Sequence, residues 1–273
     1  MTSRQPLLRA VVLLIFVVVL LPLPILIWMS FFNQSYLVVP PSNGYTGEWY
    51  LTLPEQRQLF QGLIFSLGLA ACTAVLSTLI GVLAAFGIRK SPLRESAALQ
   101  SFMSLPLVVP AIVSSMALYI FLFTVGSALE LRLTGSFGGL LAAHVLITLP
   151  WAFRLTYAGV LGIDADLERA SENLGSSRVG TFLRVSLPLV RTSVISAAIL
   201  AFIFSFGNLE MSMFLTAPGQ TTLPVAMIQH AEIRVDPTLA TMAVVQIFIV
   251  GALLLIGTKV FGFGKSLVGG IKQ

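Results

Sequence analysis

Three groups of residues in this 273-residue chain have the types and spacing to do chemistry. The first is a polar stretch between apolar segments, Asp164 to Pro188, reading DADLERASENLGSSRVGTFLRVSLP, with charges of both signs. Leu167, Ala170 and Leu174 recur there at helical spacing and form one apolar stripe, while Glu168 and Glu172 are i, i+4 neighbours on another face. Gly175 is placed to end that helix, because glycine accepts the left-handed conformation common just past a C-terminus. A second short helix is predicted to carry Val179, Phe182 and Val185 inward and to stop before Pro188. A helix, turn, helix of this kind exposes a small apolar knob framed by charge, which suits protein docking. An amphipathic loop lying on the inner leaflet would show the same pattern.

The second group is Asn208 and Glu210 in FSFGNLEMSMFL. An acidic side chain deep in a membrane helix costs roughly 2.5 to 3.5 kcal/mol on insertion scales, so it marks a candidate translocation pathway that attracts a cation. Solvation at the outer interface, or pairing with a base, would account for Glu210 equally well. The third group is Gly262, Phe263, Gly264, Lys265 and Ser266, which superficially suggests a phosphate loop. That loop needs a glycine five residues before Gly264, where Lys259 stands, so no ATP site is expected in this chain. His144 and His230 have no metal-ligand spacing, and Cys72 is the only cysteine, so neither a metal site nor an intrachain disulfide is expected. His144 and Cys72 read as packing residues. No Gly-x-Ser-x-Gly or His-Glu-x-x-His occurs, so the chain is expected to have no catalytic residues and not to be an enzyme.

The elements that must position these residues are membrane spans. The chain is 56% hydrophobic and only 10% charged, whereas a soluble domain carries about 25% charged residues. Its mean hydropathy is +0.94. Apolar runs able to cross about 30 Å of hydrocarbon occur near Leu8 to Phe31, Gly62 to Ile88, Phe102 to Val125, Gly139 to Val160, Leu189 to Leu215 and Leu239 to Phe261. This is an all-α membrane protein of six transmembrane helices, read as one domain over residues 1–273 with residues 164–188 as an insert. The first run is too long for a signal-peptide core and no small-x-small site follows it, so it is expected to stay as a span.

Six spans put both termini on one side, and charge identifies it. Thirteen of the sixteen basic residues fall on the side of the termini and only Arg57, Arg132 and Arg234 on the other, so both termini and the insert are expected in the cytoplasm. The net charge of +5 therefore reads as topology, with no basic, aromatic-interleaved run to bind nucleic acid. The loop from Asn33 to Gln61, with Pro40, Pro41, Trp49 and Tyr50, should cap the outer headgroup level. Span 2 is rich in small residues, from Ser66 to Ala85, and is expected to pack centrally. Pro106, Pro110 and Pro150 are expected to kink spans 3 and 4. Leu223 to Ile233 is long enough for an interfacial or re-entrant helix but too short to cross.

Gly175, nine residues, Val185, Ser186, Leu187 and Pro188 resemble the signature of permease subunits of binding-protein-dependent ABC importers. That signature begins Glu-Ala-Ala, and here those positions are Arg169, Ala170 and Ser171, flanked by Glu168 and Glu172. The Pro-Pro-x-x-Gly-Tyr and Trp49-Tyr50 pattern, the LPLVVPAIV opening of span 3 and FLTAPGQTTLPVAMIQ are similar to the spermidine/putrescine-type subfamily over nearly the whole chain.

The resemblance implies a type I importer permease fold, multi-pass in the bacterial inner membrane. It implies a second permease subunit, two ATP-binding subunits and a periplasmic substrate-binding protein, besides the lipid around the spans. ATP and Mg would belong to the partner ATPase, with no cofactor in this chain. The insert would be the coupling helix, its role carried by Glu168, Ala170, Glu172, Leu174, Gly175, Leu187 and Pro188. Polyamine-type relatives often carry two adjacent aspartates where Gly207 and Asn208 stand here. The expected solute is a polyamine or a related amine or amino-acid-like compound, with Asn208 and Glu210 pointing to fewer charges. A phosphonate, ferric ion or other small solute is the alternative, and a stand-alone secondary transporter a more distant one.

Overall fold

Hydrocarbon offers the backbone no hydrogen-bonding partner, so the apolar runs must satisfy their own amides, and they do so as helices. The computed structural model describes residues 4–91 and 97–261, and the phosphate-loop-like Gly262 to Ser266 lies outside them. The helices run in order α1 (Arg4–Leu20), α2 (Pro22–Met29), α3 (Glu48–Leu51), α4 (Arg57–Arg89), α5 (Ala97–Val108), α6 (Ala111–Ala128) and α7 (Phe137–Leu161). The insert follows as α8 (Ala165–Asn173), α9 (Arg178–Thr181), a π-helical turn over Phe182–Ser186 and α10 (Leu187–Leu189). Then come α11 (Arg191–Phe206), α12 (Glu210–Leu215), α13 (Leu223–Ile233) and α14 (Pro237–Phe261). Among the described residues, five stretches are long and apolar enough to cross a membrane, and a sixth arises if Arg178–Leu189 and Arg191–Phe206, bent by 72°, are one broken span.

Two predicted spans are discontinuous. Span 3 was expected to be kinked by its prolines between Phe102 and Val125, and the kink is a full break: α5 stops at Val108 and α6 starts at Ala111. Pro110 has no N–H and disfavours helical geometry in Val109; with ψ of 131° it serves instead as the N-cap of α6. Pro106 stays inside α5. Span 5 was expected to reach Leu215, but α11 ends at Phe206 and the chain restarts at Glu210. Asn208 turns its side-chain oxygen onto the Met211 amide at 2.8 Å, the local hydrogen bond with which asparagine competes against a continuing helix.

The described residues form two compact units, residues 4–60 with 226–250, and residues 61–91 with 97–225 and 251–261. In the first, the loop after α2 packs around Phe32. Phe32 is fully buried, edge-on to Trp28, bridged to Tyr45, and its carbonyl accepts from Trp49 Nε1 at 2.8 Å. Asp236 caps α14 by accepting from the Thr238 amide and pairs with Arg234 Nε at 2.6 Å.

In the second unit α7 is the central strut, packed against α5, α6, α11 and α12. The small residues of α4 are buried at Ser66, Thr73, Ser77, Gly81 and Ala85, and Ser77 Oγ lies 2.6 Å from Thr148 Oγ1 of α7. Cys72, expected to pack, is exposed. At Gly81 the helices come so close that a Cβ would sit 3.0 Å from Ala152 C and Phe153 N, both backbone atoms of α7 that cannot swing away.

Gly87, on the same helix, has open space around its Cβ position. Gly81→Ala should therefore lower the thermal midpoint of the detergent-solubilised protein through overpacking, at about 1–3 kcal/mol less the helix-propensity gain of about 1 kcal/mol. Gly87→Ala should leave it unchanged or raise it. Equal behaviour of the two variants in thermal unfolding would show that α4 does not pack on α7 at this point.

Candidate functional site

Asp164 opens the insert by accepting from the Asp166 amide at 2.9 Å, a side-chain N-cap that starts α8. The helix closes in a Schellman arrangement: Ser176 N–H reaches Ser171 O at 3.1 Å and Gly175 N–H reaches Glu172 O at 3.0 Å. Gly175 takes φ +88°, where any Cβ is strained, which is why glycine stands there. Ser177 caps α9, and Ser171 Oγ lies 3.0 Å from Thr181 Oγ1, tying the two short helices together. Pro188 has no N–H for the carbonyl four residues earlier. The backbone widens into the π-helical turn, with Leu187 N–H reaching Phe182 O.

One carboxylate holds this element to the spans. Glu168 Oε2 pairs with Arg89 Nη1 at 3.1 Å, its Oε1 accepts from Ser186 Oγ at 2.5 Å, and Arg89 Nη2 donates to Ile163 O at 3.1 Å. Burial alone would raise the Glu168 pKa, but the Ser186 hydrogen bond, the Arg89 charge and hydrogen bond and the Lys90 charge outweigh it, so the carboxyl sits below its ordinary 4.5. Phe182 packs edge-on to Phe86 of α4, with ring centroids 4.9 Å apart.

The residues singled out in the insert divide by face. Glu168 and Leu187 turn toward the spans, and Leu187 packs on the cluster built from Phe86, Tyr157 and Val160. Ala170, Glu172, Leu174, Gly175 and Pro188 are exposed, Leu174 at 89%. Val179, expected to point inward, is 67% exposed: α9 makes one turn before the backbone widens, so its phase does not carry through to Phe182. The insert therefore presents Leu167, Leu174, Val179 and Leu183 as exposed apolar side chains among charged residues. Arg89, Ser186 and Thr181 escaped the sequence reading, since pairing across distant segments leaves no local pattern.

The two broken spans meet at a cavity of about 340 Å³ lined by Pro106 to Ala111, Ile147, Trp151, Phe204 and Asn208. Trp151 and Phe204 stack along it, with centroids 5.1 Å apart and planes 15° from parallel. Asn208 thus reaches the cavity. Glu210 begins α12, is exposed, and is not part of the lining, which contains no charged side chain. Trp151 had one sequence signal, its place after Pro150 in ITLPWAF, whereas Phe204 lay among other phenylalanines.

The family described as binding-protein-dependent transport system inner membrane component matches residues 77–266, well over half of the chain and including both the insert and the cavity residues. The chain is 26% identical over 255 residues to the putrescine transport system permease protein PotI of Escherichia coli strain K12, covering 93% of this chain and 89% of that one. It is 27% identical over 247 residues to a putative 2-aminoethylphosphonate transport system permease protein, PhnV, of Salmonella typhimurium strain LT2, covering 90% and 89%. Its fold is similar to that of a chain from a bacterial ABC transporter that imports the acidic polysaccharide alginate, with a TM-score of 0.70, 15% identity and coverage of 94% and 95%. The chain belongs to the binding-protein-dependent transport system inner membrane components, the multi-pass permease subunits of ABC importers.

Proposed function

We propose that this permease forms half of a solute pathway in the bacterial inner membrane, with both termini and the insert in the cytoplasm, and that the insert couples the pathway to a separate ATPase. A second permease subunit completes the pathway, two ATP-binding subunits supply ATP and Mg chemistry, and a periplasmic binding protein delivers the solute. The observation that carries this reading is the insert itself: exposed apolar side chains at Leu174 and Val179, on a turn fixed by Gly175, joined through Glu168 to Arg89 at the end of α4. An apolar knob left in water is what a partner's groove would bury. An ion pair at its base lets a push on the knob reach the spans, a two-state movement driven by the partner's own closure.

For the solute, the uncharged lining argues against several closely spaced positive charges, because a trivalent polyamine would find no carboxylate there. The stacked Trp151 and Phe204 offer an aromatic face that attracts an ammonium by about 1–2 kcal/mol once water is excluded. Asn208 Oδ1 is engaged by the Met211 amide, so its side chain has N–H donors to offer a solute. An amine that also carries a carboxylate or phosphonate fits both features, and this favours an amino-acid-like compound over a polyamine.

Leu174→Asp should abolish capture of the ATPase subunit in detergent pull-down while leaving the thermal midpoint unchanged, since the side chain it alters contacts nothing the fold needs. Undiminished capture would reject the docking role. Thermal-shift screening of the cognate binding protein should find hits among single-amine and amino-acid-like compounds. Hits confined to polyamines or metal ions would reject the solute class.

A further inference from the structure

His144 lies in the middle of α7, fully buried, and neither lines the cavity nor touches the insert. Its Nδ1 is 2.8 Å from Ser205 Oγ, in the last turn of α11, and its Nε2 is 3.2 Å from Ser212 Oγ, in α12. The two serines stand on opposite sides of the break at Gly207 to Leu209. One ring therefore bridges both ends of the discontinuity in span 5.

Ser212 Oγ also reaches the Asn208 carbonyl, at 3.0 Å. Between the two serines the neutral ring offers one donor and one acceptor, whichever nitrogen carries the proton. Behind the ring, Thr148 Oγ1 donates to the His144 carbonyl at 2.7 Å, which leaves the Ser77 hydroxyl to donate to Thr148. Hydrogen bonds thus join α4 to α7 through Ser77 and Thr148, and α7 to α12 through the ring and Ser212, which reaches the carbonyl of Asn208, whose own Oδ1 is held by Met211 N–H. Ser115 of α6 reaches the carbonyl of Met211 at 3.4 Å. α4, α6, α7, α11 and α12 are tied to this layer by polar groups that hydrocarbon cannot solvate.

We propose that His144 is a positioning residue for transport: by joining Ser205 to Ser212 it holds the break in one bend, and so presents Asn208, the polar side chain of the cavity lining, to the solute. The inference rests on reading the cavity as part of the pathway. What the ring must supply is one donor and one acceptor at fixed separation, not bulk. Glutamine retains one of each, and phenylalanine retains neither.

The test uses the assembled transporter in proteoliposomes, with Ile147→Cys as a reporter in the cavity and Cys72→Ala removing the native thiol; uptake by this reference chain is measured first. Labelling the reporter with a methanethiosulfonate reagent should stop uptake, and if uptake continues the pathway reading fails whatever His144 does. Ser212→Ala and His144→Phe should each change the labelling rate and raise the KM for uptake about tenfold, equivalent to about 1.4 kcal/mol, with ATPase capture unchanged. His144→Gln should return both values toward the reference. Labelling rates and KM that stay at the reference in Ser212→Ala, or a glutamine variant that behaves as phenylalanine does, would overturn the proposal. If His144→Phe does not fold, Ser205→Ala and Ser212→Ala, each removing one hydroxyl and keeping the ring, carry the same comparison.

Discussion

Arg89 ends the longest helix described in the chain, and Glu168 lies in the first turns of α8; their ion pair at 3.1 Å is the constraint through which the insert belongs to the spans. A guanidinium and a carboxylate this poorly exposed to water must be paired, since breaking such a pair from one side leaves a charge with neither solvent nor partner. The pair is locked from both sides: Arg89 also holds the Ile163 carbonyl where α7 ends, and Glu168 also holds Ser186 where the chain turns into α10 and α11. Three segments that meet nowhere else in sequence are thereby fixed around one carboxylate. The remaining face of α8 leaves Leu167 exposed, with Leu174 exposed at its C-cap.

A second constraint acts at the cavity. Helices in hydrocarbon are broken only where freed backbone groups find other partners. Span 3 breaks because Pro110 cannot donate, and span 5 breaks because Gly207 and Asn208 favour a local cap over continuation. The two breaks share one cavity, and the buried His144 layer supplies the polar partners that a discontinuous helix requires. Stiffness at the insert and a defined bend at the cavity are what a subunit needs if a push at one is to be felt at the other.

Much of this was legible in the sequence because it is local. Leu223 to Ile233 appears as a helix with the bounds that hydropathy gave, and Gly175 ends α8 with the positive φ that its position demanded. The resemblance carried by Gly175 to Pro188 and by the span 3 opening agrees with the family. Between Glu168 and Glu172, spacing could not decide which acid would pair, because the choice depends on where Arg89 arrives in space. The same limit hid Trp151 and Phe204. The prolines of span 3 announced its bend, and Pro110 makes that bend a break, whereas the break in span 5 was missed because the apolar run resumes at Met211. Val179 was placed on the wrong face because a helical period was extended through a backbone that widens before Pro188. Cys72 was assigned to packing from its apolar neighbours, although the buried face of α4 is the one bearing Ser77 and Gly81.

The central claim is that the Glu168 junction transmits the ATPase stroke to the pathway. Its most direct test is the number of solute molecules taken up per ATP hydrolysed by the reconstituted transporter carrying Glu168→Gln, beside the unaltered one. Glutamine keeps the shape and removes the charge that holds Arg89, so ATP hydrolysis should continue while uptake per ATP falls several-fold. An unchanged ratio would contradict the account.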